Sequence, residues 1–300
     1  MKTMQPKELV VISGKGGTGK TSITAALAQC FSSKVLADCD VDAADLHLLM
    51  KVKSYKLFPF QGGYVAQING DKCQNCGLCA SLCRFDAIAP AGNAHSISEH
   101  SCEGCKVCVD ACPHHVIEWK ESKTGVWKES QTEQGLMYHA RLYPGAENSG
   151  KLVSLVRDKA RQYAIAHKIP LILVDGPPGI GCPVIASVTG ASAVLVVTEP
   201  TPSGHHDLER VLVLARHFRV PAFVLINKAD LCDDYCKHIQ VTSEHLDAHL
   251  IGRIPYSPLF TEALVLGKSI LEGFPDSKES KVIQSVAIAM AQNLALQDSL

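Results

Sequence analysis

Eight cysteines recur at one spacing in two runs, Cys73-x2-Cys76-x2-Cys79-x3-Cys83 and Cys102-x2-Cys105-x2-Cys108-x3-Cys112. Thiolates spaced in this way suit cubane 4Fe–4S clusters, where the fourth cysteine of each run ligates the other cluster. That rule assigns Cys73, Cys76, Cys79 and Cys112 to one cluster, and Cys102, Cys105, Cys108 and Cys83 to the second. Four cysteines also build structural zinc sites, but from paired CxxC knuckles rather than tandem three-residue steps. The second run ends in Cys112-Pro113, as the pattern expects. The first ends in Cys83-Arg84, whose guanidinium would raise the potential of a nearby cluster.

A second chemistry sits near the N-terminus. Gly14-x4-Gly19-Lys20-Thr21 is a phosphate-binding loop between a β-rich run and an apolar-periodic helix, the context the motif requires. Gly14, Gly16, Gly17 and Gly19 let backbone N–H groups approach phosphate, and the helix start favours negative charge. Thr18 and Ser22 complete the cradle, Lys20 would reach the β- and γ-phosphates, and the Thr21 hydroxyl would ligate Mg²⁺. Farther on, Asn227-Lys228-Ala229-Asp230 matches the NKxD pattern by which GTPases read guanine. An Asp230 carboxylate would accept the guanine N1–H and N2–H.

These groups need elements to position them. KELVVIS (7–13) and SKVLADCD (33–40) read as strands. PLILVDGPPG (170–179), SAVLVVTEP (192–200) and PAFVLINKAD (221–230) are β-branched runs of the kind found in buried parallel strands. Helical stretches at 149–167 and 206–218 separate them, and SKVIQSVAIAMAQNLAL (280–296) reads as a final packing helix. From about Gly70 to Trp119 the character changes to cysteine, glycine and short turns. A polar connector, ESKTGVWKESQTEQG, follows with little apolar periodicity. The alternation on both sides of the cysteine block predicts a doubly wound, mostly parallel α/β domain at 1–69 and 120–300, with a doubled α+β insert at 70–119.

GKGGTGKT, with Lys15 directly after the first glycine, resembles the deviant Walker A loop of MinD/ParA-superfamily P-loop ATPases. Nitrogenase iron protein and the Mrp-type Fe–S carriers share that class. PGAENSGKLV, DGPPGIGCPVIAS, TEPTPSGHHD and GRIPYSP extend the resemblance, specifically to members with an inserted bacterial-ferredoxin-like domain carrying two 4Fe–4S clusters. The resemblance implies that Lys15 crosses a nucleotide-sandwich dimer to the partner's phosphates, where a second cation offsets transferred charge. It implies that Asp38 and Asp175 help to hold Mg²⁺ and that Asp40 orients water, a task Asp42 or Asp45 would share. Lys15, Lys20 and Asp40 form the expected catalytic set. In this class Asn227 contacts adenine, which favours ATP over GTP.

Five of the 13 cysteines remain. Cys30 and Cys39 read as packing residues. Cys182, in the switch loop seven positions after Asp175, occupies the place of a bridging ligand in nitrogenase iron protein, but no second upstream cysteine matches. Cys232 and Cys236 would share a helix face, where Mrp-type carriers place CxxC, and are the other candidates for a bridging cluster. Formal net charge is −1, which gives no electrostatic case for nucleic acid. MKTMQPKE has no signal-like apolar run, and no stretch has the length of a bilayer span. The final helix lacks the basic face of a membrane anchor. The expectation is a cytoplasmic ATPase, homodimeric or paired with a paralogous ATPase, serving an unidentified redox or metalloprotein partner. It would couple nucleotide state to electron transfer in a reductive or metal-cofactor maturation process. The alternatives are an Fe–S or heterometal cluster carrier, and a MinD-like positioning ATPase with a redox-sensing domain.

Overall fold

The structure, a computed structural model, describes residues 5–146 and 149–296. Residues 1–4 and 147–148, parts of MKTMQPKE and PGAENSGKLV, lie outside the described residues. In chain order the elements begin with β1 (Lys7–Ser13), α1 (Lys20–Cys30), β2 (Lys34–Asp38), α2 (Leu46–Leu49) and β3 (Val52–Ile68). The cysteine block holds α3 (Leu78–Leu82), β4 (Ile88–Ala91), β5 (Ala94–Ile97) and α4 (Val107–Ala111). Then come β6 (Ile117–Thr132), β7 (Gly135–Leu142), α5 (Ser149–Ala166), β8 (Leu171–Pro178) and α6 (Cys182–Val188). The chain continues through β9 (Ala193–Thr198), α7 (Pro202–His217), β10 (Ala222–Asn227), α8 (Asp233–His245) and β11 (His249–Ile254). It ends with α9 (Leu259–Val265), α10 (Ile270–Gly273) and α11 (Lys278–Asn293).

Two compact units result. The first contains the chain up to Phe58, Trp127–Arg141, and the chain from Ser149 onward. Its sheet runs β11-β10-β9-β1-β8-β2-β7-β6-β3, and the pairs from β11 through β7 are parallel. Leu9 and Val11, Leu171 and Leu173, and Leu195 and Val197 face a core shared with Ile23 and Leu27 of α1 and Val286 and Met290 of α11. The alternate residues Val10, Ile12, Ile172 and Val174 are just as completely buried. Burial on both faces is why these strands read as unbroken apolar runs. The last helix forms where its pattern predicts, capped by the Ser277 hydroxyl, which accepts from Ser280 N–H.

The second unit is Pro59–Val126 with the segment from Leu142, and extends past 70–119 on both sides. Its core is small. Ala66, Cys79, Ile88, Cys108, Cys112 and Ile117 are its buried members, so half of it is cysteine. The segment expected to be a polar connector is instead a strand, and its residues form most of β6. That strand is largely solvent-facing, with Ile117, Gly125, Ser130 and Thr132 as its buried positions, so the apolar alternation that would reveal it is missing.

Candidate functional site

The first unit's site collects at the carboxyl ends of its parallel strands, the usual place for a ligand in such sheets. β1 delivers the loop, β2 Asp38, β8 Asp175 and β10 Asn227. Gly17 (φ 80°) and Gly19 (φ 91°) adopt left-handed backbone that side-chain-bearing residues avoid. Gly14 is required for a different reason. A Cβ there would stand 2.4 Å from Asp207 Cβ of α7.

Lys20 is 6% exposed and folds inward, with Nζ 2.8 Å from Asp175 Oδ1 and 3.5 Å from Asp40 Oδ2. Burial alone would push its pKa down, but Asp175 and Asp40 outweigh that and hold it up. Thr21 Oγ1 donates to Asp175 Oδ2 at 2.8 Å, and Thr24 Oγ1 donates to Oδ1 at 2.9 Å. Asp38 lies opposite Asp175 on the neighbouring strand. Its carboxylate accepts from the N–H groups of Asp40 and Leu46. Burial, then the Asp175 charge, push the Asp38 carboxyl well above the usual range, and burial raises Asp40 as well. Three carboxylates thus face one lysine. Their oxygens and the Thr21 hydroxyl form the donor set that a hard divalent cation such as Mg²⁺ prefers, and such an ion would favour the ionised form of the buried carboxyls.

Asn227 Nδ2 donates to Thr18 O at 2.8 Å, tying β10 to the phosphate loop. Asp230 follows β10, exposed, and its Oδ1 accepts from Tyr256 N–H and so braces the GRIPYSP segment. Gly16 is exposed, and Ser22 is half-buried at the start of α1. Lys15 reaches Glu199 Oε1 at 2.6 Å. Thr24, Glu199 and Lys228 received no role from sequence reasoning. Thr24 had a signal, as a buried hydroxyl one turn beyond Thr21.

The leftover cysteines separate. Cys182 is exposed at the start of α6. Cys232 precedes α8 as its cap, whereas Cys236 is 1% exposed and its Sγ donates to Ala229 O at 3.2 Å. Only Cys232 of that pair is open to a partner. Cys30 and Cys39 lie in the body of the first unit, with Cys39 fully buried.

In the second unit the backbone repeats itself. Asn75 and Gly104, Gly77 and Lys106, and Asp86 and His115 all have positive φ, and each pair is 29 positions apart, as are the paired cysteines. Cys73, Cys76, Cys79 and Cys112 line one cavity. Cys83, Cys102, Cys105 and Cys108 line another. Two sulfurs already accept backbone N–H groups, Cys102 Sγ from Ala66 and Cys73 Sγ from Asn75. Among the described residues, no group of three His, Cys, Asp or Glu side chains is set to hold a single metal ion. A cubane is held otherwise, with one thiolate per iron spread around a central space, and the four-thiol donor sets fit that chemistry. Burial pushes the Cys108 thiol up to about 11, so ligation there must displace a proton. No described helix is long and apolar enough to cross a membrane.

A mostly parallel α/β sheet, a Gly-rich loop opening α1 and convergent Asp38, Asp40 and Asp175 define a P-loop nucleoside triphosphatase. The chain belongs to the CobQ/CobB/MinD/ParA nucleotide-binding domain family, which it matches over residues 9–270. Its fold resembles that of the Pyrococcus furiosus cell division ATPase MinD, with TM-score 0.58 and 19% identity over 95% of this chain and 98% of that one. The uncharacterized protein MJ0578 of Methanocaldococcus jannaschii is 36% identical over 224 residues, 74% of this chain and 78% of that protein. The cytosolic Fe-S cluster assembly factor nubp2 of Danio rerio is 21% identical over 95% of this chain and 94% of its own length.

Proposed function

We propose that this ATPase carries two 4Fe–4S clusters and couples its nucleotide state to electron transfer, serving a reductive or metal-cofactor maturation reaction. The observation that carries the reading is the pair of cavities, each lined by the four cysteines that crossed ligation selects. Bound clusters would supply one-electron chemistry. The unit that holds the cysteine block at 70–119 is then a ferredoxin-like domain inserted in the P-loop body.

At the nucleotide, Lys20 would leave Asp175 for the β- and γ-phosphates, and Thr21, Asp38 and Asp175 would hold Mg²⁺, which would supply charge neutralisation at the phosphates. Asp40 orients the attacking water. Lys15 acts on the phosphates of a partner subunit, in a homodimer or with a paralogous ATPase, and Asn227 favours adenine over guanine. Hydrolysis of this kind needs positioning and charge stabilisation rather than covalent participation by the protein. DGPPGIG connects Asp175 to α6, so loss of the γ-phosphate would be felt along that loop. In this reading the protein acts in the cytoplasm, with a redox protein or metalloprotein as partner.

The similarity to nubp2, together with exposed Cys182, favours cluster assembly or carriage as the second reading. Iron and sulfide analysis of anaerobically purified protein tests the clusters, with about eight irons per chain expected for two cubanes. An EPR-monitored redox titration with and without Mg·ATP tests the coupling. A shifted potential is the expected result, and unchanged potentials would favour the carrier.

A further inference from the structure

Lys15 has three acceptors within its own chain. Its Nζ lies 2.6 Å from Glu199 Oε1, 2.8 Å from Ser203 Oγ and 3.4 Å from Thr201 Oγ1. An ammonium has three donors, so this one is fully engaged. The cage is built by a tight turn between β9 and α7. Thr201 Oγ1 accepts from Gly204 N–H at 3.0 Å, and a Cβ on Gly204 would fall 2.2 Å from Glu199 O. Glu199 is 9% exposed, and its second oxygen lies 2.9 Å from Lys228 Nζ, which also donates to Gly17 O at 3.2 Å. Burial would push the Glu199 carboxyl up, but the hydrogen bonds from Lys15 and Lys228 outweigh it and hold it down.

We propose that Glu199 is a positioning residue for the nucleotide reaction, anchoring Lys15 in its own subunit until the lysine leaves to meet phosphate. The inference rests on the reading that Lys15 acts across an ATP-dependent dimer. A lysine held by Glu199, Ser203 and Thr201 cannot at the same time satisfy a phosphate outside its subunit. The anchor therefore opposes association by its own strength, and nucleotide shifts the balance only by the excess affinity of phosphate for Lys15. Lys228 makes the exchange feasible. When Lys15 departs, Lys228 still pairs with Glu199, so no uncompensated carboxylate is left buried.

The test uses the full chain and four proteins: wild type, E199Q, K15A and the double variant. Sedimentation velocity with Mg·ATP measures the concentration of half-association. Wild type should associate, and K15A should weaken association. E199Q should lower the half-association concentration by roughly two- to fivefold, the scale of one partly exposed ion pair. In the K15A background the same substitution should change nothing, a dependence that general loosening of the turn would not produce. Ser203→Ala should act in the same direction but less, which keeps the test open if E199Q folds poorly. Amine labelling of Lys15 without nucleotide, read by mass spectrometry, should rise several-fold in E199Q and S203A. Equal E199Q effects in both backgrounds, or unchanged labelling, would overturn the anchor. Wild type that never associates, with labelling raised as expected, would overturn the dimer reading and leave Glu199 as a resting partner with no part in the reaction.

Discussion

The two units differ in how much of their site the polypeptide completes by itself. In the P-loop unit the working side chains are already mutually engaged. Lys20, Thr21 and Thr24 converge on Asp175, Lys15 and Lys228 share Glu199, and Asn227 holds Thr18. A large two-faced core stands behind them. In the cysteine unit eight thiols line two cavities, and three of the six buried core residues are themselves cysteines. So small a core supplies little of the burial that an independent domain needs. One unit positions its chemistry by packing. In the proposed reading the other relies on what its cysteines bind to hold its shape.

The most direct way to break that contrast is to remove iron. Anaerobic chelation of the holoprotein should abolish the fold of the cysteine unit, seen as new proteolytic cleavage between Pro59 and Val126. Because coupling between two sites is reciprocal, nucleotide affinity should change with it, and an unfolded insert with unaltered nucleotide affinity would mark the clusters as structural only. An insert that stays protease-resistant without iron would show that its polypeptide core suffices. A smaller but sharper effect belongs to the P-loop unit. Arg157 of α5 is 4% exposed, pairs through Nε with Glu8 on β1, and donates through Nη1 to the carbonyls of Ala186 and Thr189. Its Nη2 has no hydrogen-bond partner among the described residues, so this buried cation is committed entirely to joining α5, β1 and the end of α6. Arg157→Ala should cost about 3–5 kcal/mol in denaturant unfolding, the scale for breaking a buried ion pair. Arg161, 2.7 Å from the other oxygen of Glu8, limits the loss. A cost below about 1 kcal/mol would mean that Arg161 alone suffices.

Both sites were legible in sequence where chemistry depends on local spacing. Gly17 and Gly19 had to be glycine for their φ angles, and the two cysteine runs carried the assignment of thiols to cavities. Glu199 was visible only as part of a family-like TEPTPSG segment. Its partner Lys15 lies 184 positions away, and no periodicity encodes a contact between the ends of β1 and β9. Asp230 shows a contact that its motif does not encode. The literal NKxD match points to base reading, and the fold adds a second use, with Oδ1 accepting from Tyr256 N–H. The long β6 was missed because an exposed strand has no apolar alternation to show.

The smallest effect separates the units by pH. His139 of β7 lies opposite Asp38, its Nε2 is 2.9 Å from Ser130 Oγ, and its ring stacks on that of His47 at 5.2 Å. Burial, then the charges of His47 and Lys128, lower its pKa to about 3. The unfolded chain restores a value near 6.5, so between those limits the unfolded state binds the extra proton. Stability from this residue is therefore complete above about pH 6.5 and falls as the medium becomes more acid. At pH 5 the loss should reach about 2 kcal/mol, since each pH unit below the unfolded value costs roughly 1.4 kcal/mol. His139→Gln keeps a hydrogen-bonding group near Ser130 and has no proton to gain. It should flatten the pH dependence of P-loop-unit unfolding between pH 5 and 7, measured with the clusters absent so that thiol protonation does not intrude. An unchanged slope in H139Q would assign the acid sensitivity to other groups and show that His139 is less sheltered from protonation than its burial implies.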